Sequence, residues 1–114
     1  MGYSRAVRVG SYVHVAGTTA VDEEGEVVGK NDAYAQTKRI LEIIGAALIE
    51  AGVSLNDVVR SRIYVTDINI WEAVGRAHGE VFADVRPAAT LVEVSALIDA
   101  EMLVEIEVDA YVGG

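Results

Sequence analysis

The sequence predicts a single α/β (α+β) domain over residues 1–114, in which one β-sheet carries two helices on one face. Three observations lead to this fold class. A hydrophobic content of 52% with 24% charged residues is typical of a globular chain and too apolar for a disordered one. Two segments repeat apolar residues with the helical period, and several short segments alternate apolar and polar residues as strands do. A chain of 114 residues can bury one hydrophobic core.

The predicted elements follow the order strand, strand, helix, strand, helix, strand, strand, with no linker and no repeat. A β-hairpin opens the chain, because β-branched runs at 6–9 and 12–15 flank a Gly-Ser turn. A strand is predicted over 58–66. The only proline then starts an extended run over 88–94, and a last strand covers 103–112.

Two amphipathic helices are predicted between these strands. The first begins after Asn31 or Asp32 as its N-cap and ends at Gly52. Its apolar stripe comprises Ile40, Ile43, Ile44, Ala47, Leu48 and Ala51. The second begins at Asn69, which forms a capping-box pattern with Glu72. Its stripe comprises Ile70, Val74, Ala77, Val81 and Phe82.

The strand pattern predicts a second sheet face that no helix covers. In the 58–66 strand, one face carries Val59, Ser61, Ile63 and Val65, and the other carries Arg60, Arg62 and Tyr64. In the last strand, the face opposite the apolar one carries Glu105, Glu107, Asp109 and Tyr111. This mixture of charged and aromatic residues suits contact with another subunit. A purely structural alternative is that the acidic residues pair with Arg60 and Arg62 across the sheet or across a subunit boundary.

Charge and composition exclude several classes of function. Nine basic and eighteen acidic residues give a net charge of −9, which opposes the binding of nucleic acid and of anionic membranes. The chain has no cysteine, which rules out thiolate catalysis and disulfides, and its two histidines show no metal-ligand spacing. We therefore expect no metal and no cofactor. No apolar run is long enough to span a bilayer and no signal peptide is evident, so we expect a cytoplasmic protein.

Four motifs occur in an order and at a spacing that resemble the RidA/YjgF family, whose members are often labelled endoribonuclease L-PSP. They are YSRAVRVG at 3–10, VAGT at 15–18, RPAATLVEV at 86–94 and VEIE at 104–107. The resemblance implies a chorismate-mutase-like fold and a homotrimer with three small-molecule clefts between subunits. It also implies hydrolysis of enamines and imines derived from amino acids such as serine and threonine, which releases a 2-oxo acid and ammonia.

The same resemblance implies site residues. Tyr3 matches the cleft tyrosine, Gly17 matches the glycine after the hairpin, and Glu105 matches the acidic residue that positions the water. Deaminating members carry Pro-Ala-Arg followed by Ser or Thr, and the arginine holds the substrate carboxylate. This chain reads PAAT at 87–90, so that Ala89 occupies the position of the arginine.

Further ligand contacts are expected from the Thr90 hydroxyl, from main-chain groups near Leu91, and from His78, which lies where family members commonly have an aromatic residue. Two of these have a structural alternative: Thr90 is an ordinary strand threonine, and His78 is a satisfied helix histidine. Gly17 serves either a turn with positive φ or a close approach of the backbone. Arg86 is not expected to replace the arginine, because an offset of three from Ala89 puts it on the opposite strand face.

Two classes of function follow. The first is an enamine or imine deaminase in which Glu105 positions water. The second is a non-catalytic trimer that binds a small metabolite or regulates another process, an alternative that Ala89 favours. A ribonuclease or translation inhibitor is a minor alternative, because the sequence lacks a basic stripe with interleaved aromatic residues.

Overall fold

A computed structural model describes residues 1–113. The strands and helices, in chain order, are β1 (Ala6–Val9), β2 (Tyr12–Thr18), α1 (Ala33–Glu50), β3 (Val58–Val65), α2 (Trp71–Phe82), β4 (Ala88–Glu93) and β5 (Val104–Tyr111). Short 3₁₀ turns, Leu55–Asp57 and Ile68–Ile70, precede β3 and α2. The predicted types and order of the elements are confirmed.

One five-stranded sheet has the strand order β1-β2-β5-β3-β4. Neighbouring strands are antiparallel except β3 and β4, which run parallel because α2 forms the crossover between them. Strands β1 and β4 form the two edges. Both helices pack on one face of the sheet, as predicted, and the opposite face has no helix on it.

The core lies between the sheet and the helices. Its fully buried sheet residues include Val13, Val65, Val104 and Ile106, and its fully buried helix residues include Ile40, Leu41, Ile44, Leu48 and Val74. In β5 the buried and half-buried residues alternate without interruption, so that its acidic side chains all lie on the open face.

A β-bulge near the start of β3 corrects one predicted face. Val58 lies opposite Ala110 and Arg60 opposite Asp109, so that Val59 is an extra residue with no partner on β5. Val59 is 46% exposed, and Val58 takes the buried position instead. A strict period of two fails here because the bulge shifts the alternation by one residue.

Helix α1 begins as predicted, since the Asp32 side chain accepts a hydrogen bond from the Ala35 N–H at 3.0 Å. The predicted start of α2 is wrong. Asp67 caps the preceding 3₁₀ turn by accepting a hydrogen bond from the Asn69 N–H, and α2 itself begins at Trp71 with no side-chain cap. Trp71 is 54% exposed and does not belong to the core of this chain.

No helix within residues 1–113 has both the length and the apolar composition needed to cross a membrane.

Candidate functional site

Two of the three β5 carboxylates on the open face are paired within the chain. Arg62 donates to Asp109 at 3.2 Å and lies 3.8 Å from Glu107. The Tyr64 hydroxyl donates to Glu107 at 2.6 Å, and this hydrogen bond raises the pKa of Tyr64 above its ordinary value. His14 Nδ1 lies 2.8 Å from Asp109. Glu107 and Asp109 therefore pair across the sheet, as the structural alternative for this acidic face predicts.

Glu105 differs from its two neighbours on β5. Tyr64 lies directly opposite Glu105 in the register, yet its hydroxyl bonds diagonally to Glu107. Within residues 1–113, the half-buried Glu105 carboxylate has neither a hydrogen bond nor an ion pair. Arg60 forms no ion pair with any described residue, so its predicted pairing with this acidic face does not occur across the sheet of one chain. Glu105 is thus a carboxylate with its oxygens available to a ligand or a water molecule.

Gly17 lets the backbone of β2 approach the Glu105 side chain. A Cβ atom at residue 17 would overlap Glu105 Oε2 and lie 3.1 Å from Glu105 Cδ. The φ angle of Gly17 is outside the left-handed region, so a positive φ is not the reason for glycine here. The missing side chain at residue 17 therefore makes room for the Glu105 carboxylate.

Three predicted site residues, Tyr3, Gly17 and Glu105, share one cleft of about 330 Å³, which we call the Glu105 cleft. It is lined by Met1, Tyr3, Arg5, Ala16, Gly17, Thr19, Ile98, Met102 and Glu105. Ile98 is 92% exposed, so that one apolar wall of the cleft is open in a single chain.

Arg5 is a residue of this cleft that the sequence analysis missed. Its Nη1 donates to Gly17 O at 3.0 Å and to Thr18 Oγ1 at 2.9 Å, and its Nη2 donates to the Tyr3 hydroxyl at 3.0 Å. The guanidinium also lies 5.5 Å from the centre of the Tyr3 ring. No local pattern marked Arg5, because it precedes β1 and its acceptors on β2 lie 12 and 13 residues further along the chain.

His78 and Ala89 lie together in a second cleft of about 350 Å³, the His78 cleft, which also contains Phe82, Arg86 and Pro87. His78 Nε2 lies 2.8 Å from Ser61 Oγ, and its ring packs against Phe82 with 4.7 Å between ring centres. Burial lowers the pKa of His78, which keeps the imidazole neutral near pH 7. The histidine is therefore satisfied within the chain while one side of it borders the cleft.

Arg86 does not belong to the strand from which the direction of its side chain was predicted. Strand β4 begins at Ala88, so Arg86 lies outside it and strand alternation does not determine where its side chain points. Arg86 has φ of 53°, an uncommon conformation for a residue other than glycine, and it lines the His78 cleft together with Ala89.

Thr90 and Leu91 lie on opposite faces of the edge strand β4. Thr90 is opposite Arg62 and exposed on the open face, whereas Leu91 is opposite Ile63 and half-buried against the core. One chain therefore places the predicted site residues in separate regions, with Tyr3, Gly17 and Glu105 in one cleft and His78 and Ala89 in another. No group of three or more potential ligands that could hold a metal ion occurs among residues 1–113.

The fold and these clefts define an α+β protein with one open sheet face and two small surface clefts. Residues 1–112 match the sequence model of the family described as Endoribonuclease L-PSP. The crystal structure of Rv2704 from Mycobacterium tuberculosis, described as a member of the YjgF/YER057c/UK114 family, is 52% identical with a TM-score of 0.87, over 97% of this chain and 87% of that one. This chain therefore belongs to the RidA/YjgF family, and the predicted resemblance is confirmed.

Two further relatives carry names that concern small molecules. The 3-aminoacrylate deaminase RutC of Acinetobacter baylyi is 36% identical over 110 residues, which are 96% of this chain and 86% of the relative. The crystal structure of Escherichia coli TdcF with bound serine has a TM-score of 0.89 and 26% identity, over 99% of this chain and 90% of that one.

Proposed function

We propose that this chain is a deaminating hydrolase that adds water to the C=N bond of a small imine, or of the enamine in equilibrium with it. The product is a carbonyl compound, and ammonia leaves. The observation that carries this proposal is the Glu105 carboxylate, which is half-buried, unpaired within residues 1–113 and held against Gly17 in a cleft with Tyr3. The relative named as a 3-aminoacrylate deaminase supports the same class of reaction.

In this mechanism Glu105 acts as the general base. Its carboxylate accepts a hydrogen bond from a water molecule and takes the proton as the water oxygen attacks the carbon of the protonated C=N group. Glu105 returns that proton to the nitrogen of the resulting carbinolamine. Its carboxylate then takes the hydroxyl proton as the C–N bond breaks, the C=O bond forms and ammonia leaves. The Tyr3 hydroxyl, which accepts from Arg5, keeps its own O–H free to donate to the substrate.

We also propose that the active form is a homotrimer whose sites lie between subunits. The open sheet face exposes Val7, Val9, Tyr12, Val92 and Tyr111. Contact between these apolar side chains and water is unfavourable, which supports burial of the face against other copies of the chain. A neighbouring subunit would also cover the exposed Ile98 and could bring a His78 cleft beside the Glu105 cleft.

Ala89 limits what this site binds. Each hydrogen bond to a charged group contributes about 1.5–3 kcal/mol, which corresponds to roughly 10- to 150-fold in a binding constant. A bidentate arginine–carboxylate pair lies at or above the upper end of that range. We therefore expect 2-iminopropanoate to be hydrolysed more slowly than by a relative with arginine at this position. A second candidate, which Ala89 favours, is a trimer that binds a metabolite without turnover.

The test uses 2-iminopropanoate generated by an amino-acid oxidase, with semicarbazide trapping the imine that is not hydrolysed. Turnover by the protein lowers the rate of semicarbazone formation. We expect Glu105→Gln to lose this effect and Ala89→Arg to strengthen it. The matched control is Glu107→Gln, because Glu107 lies on the same strand face but is paired with Tyr64. The oligomeric mass of each variant in solution is measured in parallel, to show whether its subunits still assemble.

The proposed hydrolase would be refuted if neither the wild type nor Ala89→Arg lowers the rate of semicarbazone formation. Binding of the product 2-oxo acid in that case would favour the non-catalytic trimer.

A further inference from the structure

We propose that Arg5 binds the carboxylate of the substrate and thereby makes the Glu105 cleft selective for small enamine or imine acids. This inference rests on the proposed function and deepens it. It assigns the recognition of the anion to a residue on the hairpin side of the cleft instead of to β4, where Ala89 offers no charge.

The position of Arg5 is fixed by its surroundings. The side chain is half-buried and lines the same cleft as Tyr3 and Glu105. Three hydrogen bonds of 2.9–3.0 Å, to Gly17 O, Thr18 Oγ1 and the Tyr3 hydroxyl, orient the guanidinium. A preoriented guanidinium loses little side-chain entropy when it binds a ligand, which favours tight recognition of a carboxylate.

Arg5 forms no ion pair with a carboxylate of residues 1–113. Three arginines in that range are half-buried. Arg39 has Glu42 at 3.6 Å, and Arg62 has Asp109 at 3.2 Å. Arg5 has no carboxylate within 4.0 Å, and its three acceptors are uncharged. With eighteen acidic residues against nine basic ones, a half-buried arginine without an acidic partner indicates a place for an anionic ligand.

The remaining donors of Arg5 suit a carboxylate. A guanidinium has five N–H donors, of which the described contacts use three, so that Nε–H and one N–H of Nη2 are left for a ligand. These two nitrogens form one edge of the planar group and match the two oxygens of a carboxylate. The Tyr3 O–H adds a third donor beside them.

Arg5 also offsets the charge of Glu105. An acid that enters this cleft meets the negative carboxylate of Glu105, and Arg5 is the one cationic side chain among the residues that line the cleft.

The experiment compares pyruvate with pyruvamide, two ligands that differ in charge at one end. Binding to the full-length protein is measured by NMR titration for the wild type, Arg5→Gln and Arg5→Lys. The control is Arg8→Gln, whose arginine lies on the same hairpin and donates to Gly10 O and Ala51 O. Arg86→Gln tests the His78 cleft as the competing anion site. Thermal unfolding of every variant shows whether it folds.

We expect Arg5→Gln to weaken pyruvate binding by roughly 10- to 150-fold and to leave pyruvamide binding unchanged. Arg5→Lys should keep part of the affinity, and Arg8→Gln should match the wild type. In turnover assays, Arg5→Gln should raise KM for an imine acid more than it lowers kcat.

An equal loss of pyruvate and pyruvamide binding would assign Arg5 a purely structural role and overturn the inference. Loss of pyruvate binding in Arg86→Gln alone would move the anion site to the His78 cleft, and equal affinity of the wild type for both ligands would refute anion recognition. If Arg5-dependent pyruvate binding occurs without turnover, the proposed hydrolase fails while this inference stands. If Arg5→Gln turns over imine acids as the wild type does, this inference fails while the proposed hydrolase stands.

Discussion

Replacing Gly17 by alanine is expected to disable catalysis with little change in stability. The added Cβ would overlap Glu105 Oε2, and relief of that overlap requires the carboxylate to move by about 1 Å. The clash involves the end of a flexible side chain rather than the backbone, so the strand itself need not shift. The substitution therefore displaces the proposed base while it leaves the fold intact.

The expected change in the free energy of unfolding is small, whereas the expected change in catalytic rate is large. Alanine in a strand gains about 0.5–1 kcal/mol over glycine, and an unfavourable rotamer of Glu105 costs about 0.5–1.5 kcal/mol. These terms nearly cancel, so the free energy of unfolding should change by less than about 1 kcal/mol. A misplacement of about 1 Å lowers a reaction rate by about 100-fold. We expect kcat/KM for the imine substrate to fall by about that factor.

The assay is the semicarbazide competition with 2-iminopropanoate, combined with urea unfolding. Gly75→Ala is the control, because a Cβ at that helical position meets no atom within 4 Å and should stabilise α2 by about 0.8–1 kcal/mol without affecting turnover. Gly17→Ala should have no further effect in a Glu105→Gln background, since both changes remove the same base. Full activity of Gly17→Ala, or an equal loss in both backgrounds, would refute this reasoning.

Three other outcomes are expected. Light scattering should give the mass of three 12.1 kDa chains, and the mass of one chain would eliminate the intersubunit site. RNA should be neither cleaved nor tightly bound at about 150 mM salt; binding that an Arg60→Glu/Arg62→Glu variant weakens would contradict this. Because burial lowers the pKa of His78 below that of an unfolded histidine, about 6.5, the unfolded chain binds the extra proton as the pH falls below that value. The free energy of unfolding should therefore drop more in the wild type than in His78→Gln between about pH 7 and pH 5. A larger drop in the variant would contradict a lowered pKa of His78 in the folded chain.

The sequence predicted the elements well because each depends on a local pattern. The period of two in β5 is uninterrupted, and the Asp32 cap and Gly52 bound α1 as expected. The start of α2 was wrong because Asp67 caps a 3₁₀ turn first, which leaves Asn69 inside that turn. Capping residues close together in the sequence compete, and only their backbone angles decide between them.

The candidate site was less predictable because it depends on strand register and on contacts far apart in the sequence. Glu105, Glu107 and Asp109 are equivalent in the pattern of β5, and only the pairing with β3 and β2 leaves Glu105 without a partner. Arg5 was missed for the same reason, because its acceptors lie 12 and 13 residues away across the hairpin.

The separation of Ala89 from Glu105 in the sheet has a consequence for how such proteins diversify. Ala89 lies on the edge strand β4 on the helix-covered face, whereas Glu105 lies two strands inward on the open face, with Gly17 and Tyr3 around it. Within one chain, the cleft that contains Ala89 shares no lining residue with the Glu105 cleft. Mutation can therefore exchange the groups that select a ligand while the opposite cleft is inherited unchanged, so one ancestral scaffold can give rise to descendants with different ligands.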